Sequence, residues 1–233
     1  MNRTVLRACA WSGPGCVLLF LMGFGVIAGF IPPPSPRLGA HQIAELIREN
    51  KNQIRTGMIV SALASALIAP WVAGLSVHLK RIEGECSPLS YLQLGLGMLL
   101  VLEFIFPLMF WQVATFRTQR SDVVIQMIND LAWIPFVALT VTVIVQALVV
   151  GVAILTDQHE TPIFPRWAGY LSLFAAMTFC GGSFTVFFKD GLLAWNGLIA
   201  WYVPLSVFCI WLVVMTSLMF RATARQDVFS ERN

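Results

Sequence analysis

The sequence has few charged residues. Charged side chains make up 12% of its 233 residues and apolar side chains make up 58%, whereas soluble domains carry about 25% charged residues. Mean hydropathy is +0.76. A soluble fold of this composition would expose large apolar patches, which soluble monomers rarely do. The composition therefore excludes an ordinary soluble domain and indicates a chain whose solvent is lipid.

Motifs for catalysis and cofactor binding are also missing. The sequence contains no Walker phosphate loop, no HExxH zinc motif and no GxSxG nucleophile elbow. Its three histidines fall at or outside the ends of the apolar segments, so no pair of them can hold a haem inside a bundle. Five cysteines without CxxC spacing predict neither a disulfide framework nor a zinc site. We therefore expect no catalytic residue, no metal and no cofactor, and we favour a protein that is not an enzyme.

Six apolar segments are long enough to cross a bilayer, which takes roughly 20 residues. They cover approximately residues 15–31, 57–79, 89–116, 131–155, 168–188 and 198–220. Residues 42–55 place apolar side chains at helical spacing between charged ones. This pattern predicts an amphipathic helix, either lying in the membrane interface or packed over the mouth of the bundle. We predict an all-α, polytopic membrane bundle in which residues 1–233 form a single transmembrane domain.

Basic residues give a weak signal for orientation. Arg3 and Arg7 precede the first segment, and a basic leader of this kind favours a cytoplasmic N-terminus. We expect the first segment to be retained as an anchor, with both termini cytoplasmic. The net charge of only +3, without a long basic run, predicts no nucleic-acid partner.

The second segment carries a ridge of small side chains. A small residue recurs at every fourth position, at Gly57, Ser61, Ser65, Ala69 and Ala73. Helices in lipid associate through close packing, and small residues allow their backbones to approach. The ridge is expected to face another helix.

Glu103 is the strongest candidate functional residue. It lies near the middle of the third apolar segment, where an ionisable side chain is costly and points to a functional site. Burial in an apolar environment favours its neutral form. It is a candidate proton carrier, cation site or anchor for a lipophilic ligand, together with Gln146 and Gln112. The alternative is a structural carboxyl that is hydrogen-bonded to a neighbouring helix, with Gln146 as the expected partner.

A second group of polar residues falls at the predicted outer rim of the bundle. It consists of Asn129, Asp130, Lys189, Asp190 and Asn196. Trp133 and Trp195 lie beside them in the sequence and are expected to be interfacial anchors, since tryptophan is enriched at membrane–water interfaces. The rim residues form a candidate site only if these separate segments converge in space.

Three strings resemble a group of bacterial integral membrane proteins. They are residues 129–133 (NDLAW), residues 162–167 (PIFPRW) and residues 187–197, which run from FFKDG to WNG. The similarity covers most of the chain beyond the first segment. It implies a multi-pass protein of the bacterial inner membrane, as found in actinobacteria and some proteobacteria, and it implies no activity.

Three classes of function remain open. We favour a non-enzymatic membrane protein that binds a lipophilic small molecule or a membrane partner. The alternatives are a small oligomeric transporter or channel and a membrane enzyme acting on a lipid-like substrate. A transporter should show more polar positions along a path, or paired broken helices in two repeats. An enzyme should gather an acid, a base or a metal around one cavity. Expected partners are membrane lipids, a second copy of the chain or another membrane protein.

Overall fold

The protein is an all-α bundle. A computed structural model describes residues 3–230, with side chains described up to residue 225, and within these residues there is no β-strand. The six helices that are long and apolar enough to cross a membrane are Arg3–Ile27, Lys51–Glu83, Pro88–Phe116, Asp122–Leu155, Arg166–Phe187 and Leu198–Arg225. The predicted fold class is confirmed, and these helices are called spans one to six.

Several spans are interrupted. The α-helices are α1 Arg3–Phe20, α2 Ala40–Glu49, α3 Lys51–Ala66, α4 Ile68–Glu83, α5 Pro88–Phe116, α6 Asp122–Ala138, α7 Val141–Leu155, α8 Arg166–Ser183 and α9 Val203–Ser230. Span two therefore consists of α3 and α4, and span four of α6 and α7. A π-helical turn at Leu21–Ile27 completes span one, another at Leu198–Tyr202 opens span six, and a 3-10 turn at Thr185–Phe187 ends span five.

The connections between spans meet at two ends of the bundle. Six crossings bring Arg3 and Arg225 to one end, here called the terminal end, and leave α2 at the other, the α2 end. Met1 and Asn233 lie outside the described residues. At the α2 end Arg48 pairs with Asp122 at 2.8 Å and donates to the carbonyl oxygen of Thr118, also at 2.8 Å. These bonds tie α2 to the connection between spans three and four.

The amphipathic helix is shorter than predicted. It covers Ala40–Glu49 rather than residues 42–55, because the side chain of Asn50 donates to the carbonyl of Leu46 at 3.0 Å and the chain turns there. Its apolar residues Ile43 and Ile47 are buried, and the helix packs on α6. Of the two predicted placements, the structure therefore has the helix packed over the bundle. The residues after Asn50 begin span two.

Span one is longer than the predicted residues 15–31 at its start. It begins at Arg3, because the helical pattern continues back through the leader, where Leu6 and Ala10 are buried in the bundle. Hydropathy marks only the continuous apolar stretch, so it misses about the first three turns of the helix, in which Arg3, Arg7 and Ser12 alternate with apolar residues.

The ridge of small residues in span two packs directly against span one. A Cβ atom on Gly57 would lie 2.4 Å from the carbonyl oxygen of Gly23, and one on Gly23 would lie 2.6 Å from Ser61 Oγ. The prediction is confirmed for this first half of the ridge. Ala69 and Ala73 are only half-buried, because the break between α3 and α4 turns a different helix face inward.

Nine aromatic rings fill the bundle between its middle and the α2 end. This aromatic cluster consists of Phe20, Phe24, Phe30, Phe104, Trp111, Trp133, Phe136, Trp195 and Trp201. Phe24 lies at its centre, with its ring centroid 5.0 Å from that of Phe136 and 5.6 Å from that of Trp111. Trp133 and Trp195 are buried and stack on each other at 6.2 Å. The expectation that these two are interfacial anchors is wrong, because they serve as core residues.

Candidate functional site

Glu103 lies near the middle of the 29-residue helix α5. Its carboxyl oxygen Oε2 is buried and has no hydrogen-bond partner. Thr142, on the first turn of α7, is its polar neighbour, yet Thr142 Oγ1 is also buried without a partner. The two groups thus face each other without a hydrogen bond of good geometry. Both retain bonding capacity in the interior of the bundle.

A cavity of about 90 Å³ adjoins this carboxyl and is called the midspan cavity. The residues that line it come from five spans and from the break in span four: Phe20, Leu100, Glu103, Phe104, Phe136, Val137, Leu139, Thr140, Val143, Phe179, Ala200, Trp201, Pro204, Leu205 and Phe208. Glu103 is the only ionisable residue in this lining, and Thr140 supplies a hydroxyl. The cavity is therefore apolar with one acidic group.

Irregular backbone surrounds the midspan cavity. Span four breaks at Leu139 and Thr140, four residues after Pro135, and the π-helical turn of span six ends just before Pro204. A proline removes the hydrogen bond to the carbonyl four residues before it, so Pro204 accounts for irregular backbone in the π-helical turn before it, whereas the Leu139 N–H still bonds the Pro135 carbonyl at 3.0 Å. At the break in span four, the hydroxyl of Thr140 bonds that of Ser183 at 2.8 Å. Irregular backbone at membrane depth is tolerated where it is buried in protein or lines a cavity, so these breaks and the cavity form one feature.

Gln146 and Gln112 do not join Glu103. Gln146 is fully buried, and neither of its amide atoms has a partner. Its Nε2 lies 2.8 Å from where a Cβ on Gly97 would stand. Gly97 precedes Glu103 by six residues, which corresponds to about 9 Å along a helix. Thr142 therefore takes the place beside Glu103 that was expected for Gln146.

Gln112 is nine residues beyond Glu103 on α5, which is about 13 Å along the helix axis. It is half-buried and does not line the midspan cavity. Its backbone carbonyl accepts a hydrogen bond from Thr115 Oγ1 at 2.9 Å. The geometry gives Gln112 no part in the site around Glu103.

The rim residues converge only in part. Asn129 is buried and its Oδ1 accepts a hydrogen bond from Trp111 Nε1 at 3.2 Å. Asp130 lies near Asn129 and Lys189, so three of the five residues are neighbours. Asp190 is exposed and pairs instead with Arg37 of the loop before α2.

Asn196 is half-buried in the loop before span six. Asn196 follows Trp195, a member of the aromatic cluster, in the chain. Trp195 Nε1 donates a hydrogen bond to the carbonyl of Pro34 at 2.8 Å. These contacts fasten loops to one another at the α2 end. The rim residues therefore have a structural role in joining loops, and the ion pair of Arg37 and Asp190 is exposed to solvent.

Comparison with protein-family models, curated proteins and solved structures found no match. Among the described residues, no group of three or more His, Cys, Asp and Glu side chains could hold a metal ion. Asp157 and His159, which are two residues apart in one loop, hydrogen-bond each other at 2.6 Å.

Several residues of the site were missed from the sequence. Thr142, Thr140 and Trp201 carry no local motif, and only the fold brings Thr142 beside Glu103 and the other two into the lining of the cavity. Gln93 could have been found, because Gln93, Gly97, Leu100 and Glu103 recur at helical spacing and share one side of α5. Gln93 lies one turn before Gly97 on the side of α5 that carries Glu103, and this spacing indicates that polar side chains line the inward side of the helix.

Proposed function

We propose that this chain is a multi-pass membrane protein that binds a lipophilic molecule in the midspan cavity, with Glu103 as the anchor for a polar group of that molecule. The observation that carries the proposal is the buried Glu103 Oε2 without a partner in an otherwise apolar lining. An acidic residue at this depth costs about 2.5–3.5 kcal/mol on insertion scales. A ligand with a hydroxyl or carbonyl group would supply the missing hydrogen bond, as the few polar groups of apolar pockets usually do.

The size of the cavity limits the shape of the ligand. An apolar cavity of about 150 Å³ accommodates benzene, so the midspan cavity of about 90 Å³ holds only the slim end of a molecule. The remainder must extend between the helices towards lipid. This favours a narrow lipophile with one small polar group over a bulky or strongly charged compound.

Trp201 provides a second polar contact. It lines the midspan cavity, and its indole Nε1 is buried without a hydrogen-bond partner. An indole N–H can only donate, so it suits an oxygen acceptor on the ligand. A neutral Glu103 can donate as well as accept, and the pair of residues therefore fits a carbonyl or hydroxyl oxygen.

A role in transport is the second candidate. Spans four and six are both irregular beside the cavity, and broken helices near the bilayer midplane are where transporters bind their substrates. Catalysis has less support, because the described lining of the cavity offers one carboxyl and one hydroxyl without a base or nucleophile pair. Liposomes loaded with the bound compound would separate a carrier, which releases it on the far side, from a protein that only binds it.

We place the protein in the bacterial inner membrane, with the terminal end in the cytoplasm. The basic leader with Arg3 and Arg7 supports this orientation, and the bacterial location follows from the resemblance of its sequence strings. Lipids are the expected neighbours of its exposed apolar surface. The outward side of α5, with Leu99, Leu102 and Phe106 exposed, also suits a second copy or another membrane protein.

Photolabelling tests the proposal. Protein in nanodiscs would be illuminated with a diazirine analogue of 1-decanol, and the labelled residues identified by mass spectrometry. We expect labels on the lining residues Phe136 and Phe208. The variant Ala200→Phe fills the cavity, because Ala200 is buried in its lining. It should lower this labelling by about tenfold, the factor that corresponds to 1.4 kcal/mol of lost affinity.

The matched control is Ala66→Phe, which adds the same ring at an exposed position of α3 and should leave the labelling unchanged. Equal labelling of Phe136 in the parent protein and in a folded Ala200→Phe variant would contradict binding in the cavity. Labels distributed over lipid-exposed positions alone would contradict it too.

A further inference from the structure

A row of buried polar side chains leads from the terminal end of the bundle to Glu103. Among the described residues, nine buried side-chain nitrogen and oxygen atoms have no hydrogen-bond partner, and five of them belong to Gln93, Gln146, Thr142 and Glu103. Most buried polar groups in proteins are hydrogen-bonded, and those that are not require an explanation. Their concentration on the facing sides of α5 and α7 is not a feature of ordinary packing.

The row begins at the terminal end with Glu83, whose carboxylate accepts hydrogen bonds from the backbone N–H groups of Leu89 and Ser90 at 2.9 and 2.7 Å. Ser90 Oγ then donates to the carbonyl of Ser76 at 2.7 Å. The hydroxyl of Ser76 donates in turn to the side-chain oxygen of Gln93. These bonds link Glu83, at the terminal end or mouth of the row, to Gln93, its first buried amide.

At the next helical turn of α5, Gly97 leaves space for a polar side chain from α7. It lies four residues after Gln93 on α5, and its missing side chain leaves room for the Gln146 amide, whose Nε2 would be 2.8 Å from a Cβ there. Gln146 is one turn from Thr142 on α7, and Thr142 is the polar neighbour of Glu103. From Ser90 to Glu103 the row covers thirteen residues of α5, about 20 Å.

The other side of Glu103 is closed by the aromatic cluster. Two indole N–H donors there, Trp133 Nε1 and Trp201 Nε1, have no partner, and the Trp111 indole already donates to Asn129 Oδ1. Such donors cannot accept a proton and pass it on. Amide and hydroxyl groups can hold water molecules that both donate and accept. The row of hydroxyl and amide groups therefore offers protons a better route to Glu103 than the indoles of the aromatic cluster do.

We propose that Ser76, Gln93, Gln146 and Thr142 form a proton pathway that connects Glu103 to the terminal end, so that the pH at that end sets the charge of the midspan cavity. The proposal rests on the function proposed above, in which Glu103 anchors a ligand. Water molecules hydrogen-bonded to these side chains carry the proton, which solvent at the terminal end supplies. In each step one O–H bond of a water molecule forms as another breaks, and the proton ends on the Glu103 carboxylate. No electron is transferred.

The charged groups nearest the pathway lie at its mouth. They are Glu83, Lys80 beside Tyr91, and Arg81, which contacts the buried His78. In the described lining of the cavity no second ionisable group faces Glu103. Acidification at the terminal end should protonate Glu103 and favour a ligand carbonyl. Alkaline conditions should place a carboxylate in the cavity and disfavour the ligand.

Infrared spectroscopy of the full chain in nanodiscs tests the pathway. The carbonyl band of the protonated carboxyl is assigned by its loss in Glu103→Gln, and its shift is then followed after transfer into D2O. Gln93→Met and Gln146→Met keep the side-chain size and remove the amide. Either variant should slow the exchange by about tenfold, the rate change for one hydrogen bond of ordinary strength. Gln112→Met, on the same helix outside the row, should exchange like the parent.

Equal exchange rates in the parent and in both row variants would overturn the pathway, as would the lack of a Glu103 band across an acid-to-neutral pH titration. If Gln146→Met fails to fold, the near-isosteric Thr142→Val tests the same step. Photolabelling at acidic pH separates the two proposals, because Gln146 does not line the cavity. If the cavity is labelled in the parent protein but the row variants exchange at the parent rate, the pathway is contradicted and ligand binding is not. If the row variants exchange slowly but the cavity of the parent protein is not labelled, ligand binding is contradicted and the pathway is not.

Discussion

Replacing Gly57 with alanine should separate spans one and two. The added Cβ would lie 2.4 Å from the carbonyl oxygen of Gly23 and 2.8 Å from the backbone nitrogen of Ala28, and ordinary contacts of this kind begin at 3.4 Å. The two backbones must therefore move apart by about 1 Å, the difference between these distances, because no side-chain rotation relieves a clash with backbone atoms. Overpacking of this kind costs about 1–3 kcal/mol.

Thermal unfolding of the purified protein in detergent measures this cost. For a chain of this length, 2 kcal/mol corresponds to a fall in Tm of about 4–8 °C. Gly95→Ala is the matched control, since Gly95 lies inside α5 with no atom within 4 Å of an added Cβ. Alanine is favoured over glycine in a helix by about 0.5–1 kcal/mol, so this variant should keep or slightly raise the Tm. Equal Tm values for the two variants would refute the close approach of spans one and two.

Two further predictions concern buried polar groups. Glu103→Gln should stay folded and keep the cavity labelling, because the amide preserves a neutral hydrogen-bonding shape, whereas Glu103→Leu should stay folded and lose it; identical labelling of both variants would argue against an anchoring role. Trp211→Phe removes the buried bond from Trp211 Nε1 to Ser172 Oγ at 2.9 Å and should cost about 1–3 kcal/mol in unfolding experiments, while Arg37→Ala breaks an exposed pair with Asp190 and should cost less than about 1 kcal/mol. A larger loss for Arg37→Ala would contradict this ranking.

The spans could be predicted because lipid imposes a simple rule on the sequence. A segment that crosses a bilayer must be long and apolar, and all six such segments were evident from composition. Their ends were harder to place, because helices continue through polar residues. Asn50 ends one helix through a side-chain bond, and Arg3 begins another where hydropathy shows nothing. The break inside span two, at Leu67, falls between apolar residues, so hydropathy does not reveal it.

The sequence predicted the central residue of the candidate site, Glu103, but not the residues around it. Glu103 was evident because a charge within an apolar segment is costly. Its surroundings were not, since Thr142 reaches Glu103 and Trp201 reaches the cavity from other spans, and only the tertiary fold brings them there. Trp133 was assigned to the interface for the same reason. Residue type gives a preferred depth in the membrane, whereas packing decides whether a ring faces lipid or the core.

A density map of the protein purified in native lipid tests the central claim most directly. Binding in the midspan cavity predicts an elongated density between Phe104, Phe136 and Phe208, with one end within hydrogen-bonding distance of Glu103 Oε2. A cavity closed by its own side chains, with the Glu103 carboxyl bonded to another group of the protein, would contradict it.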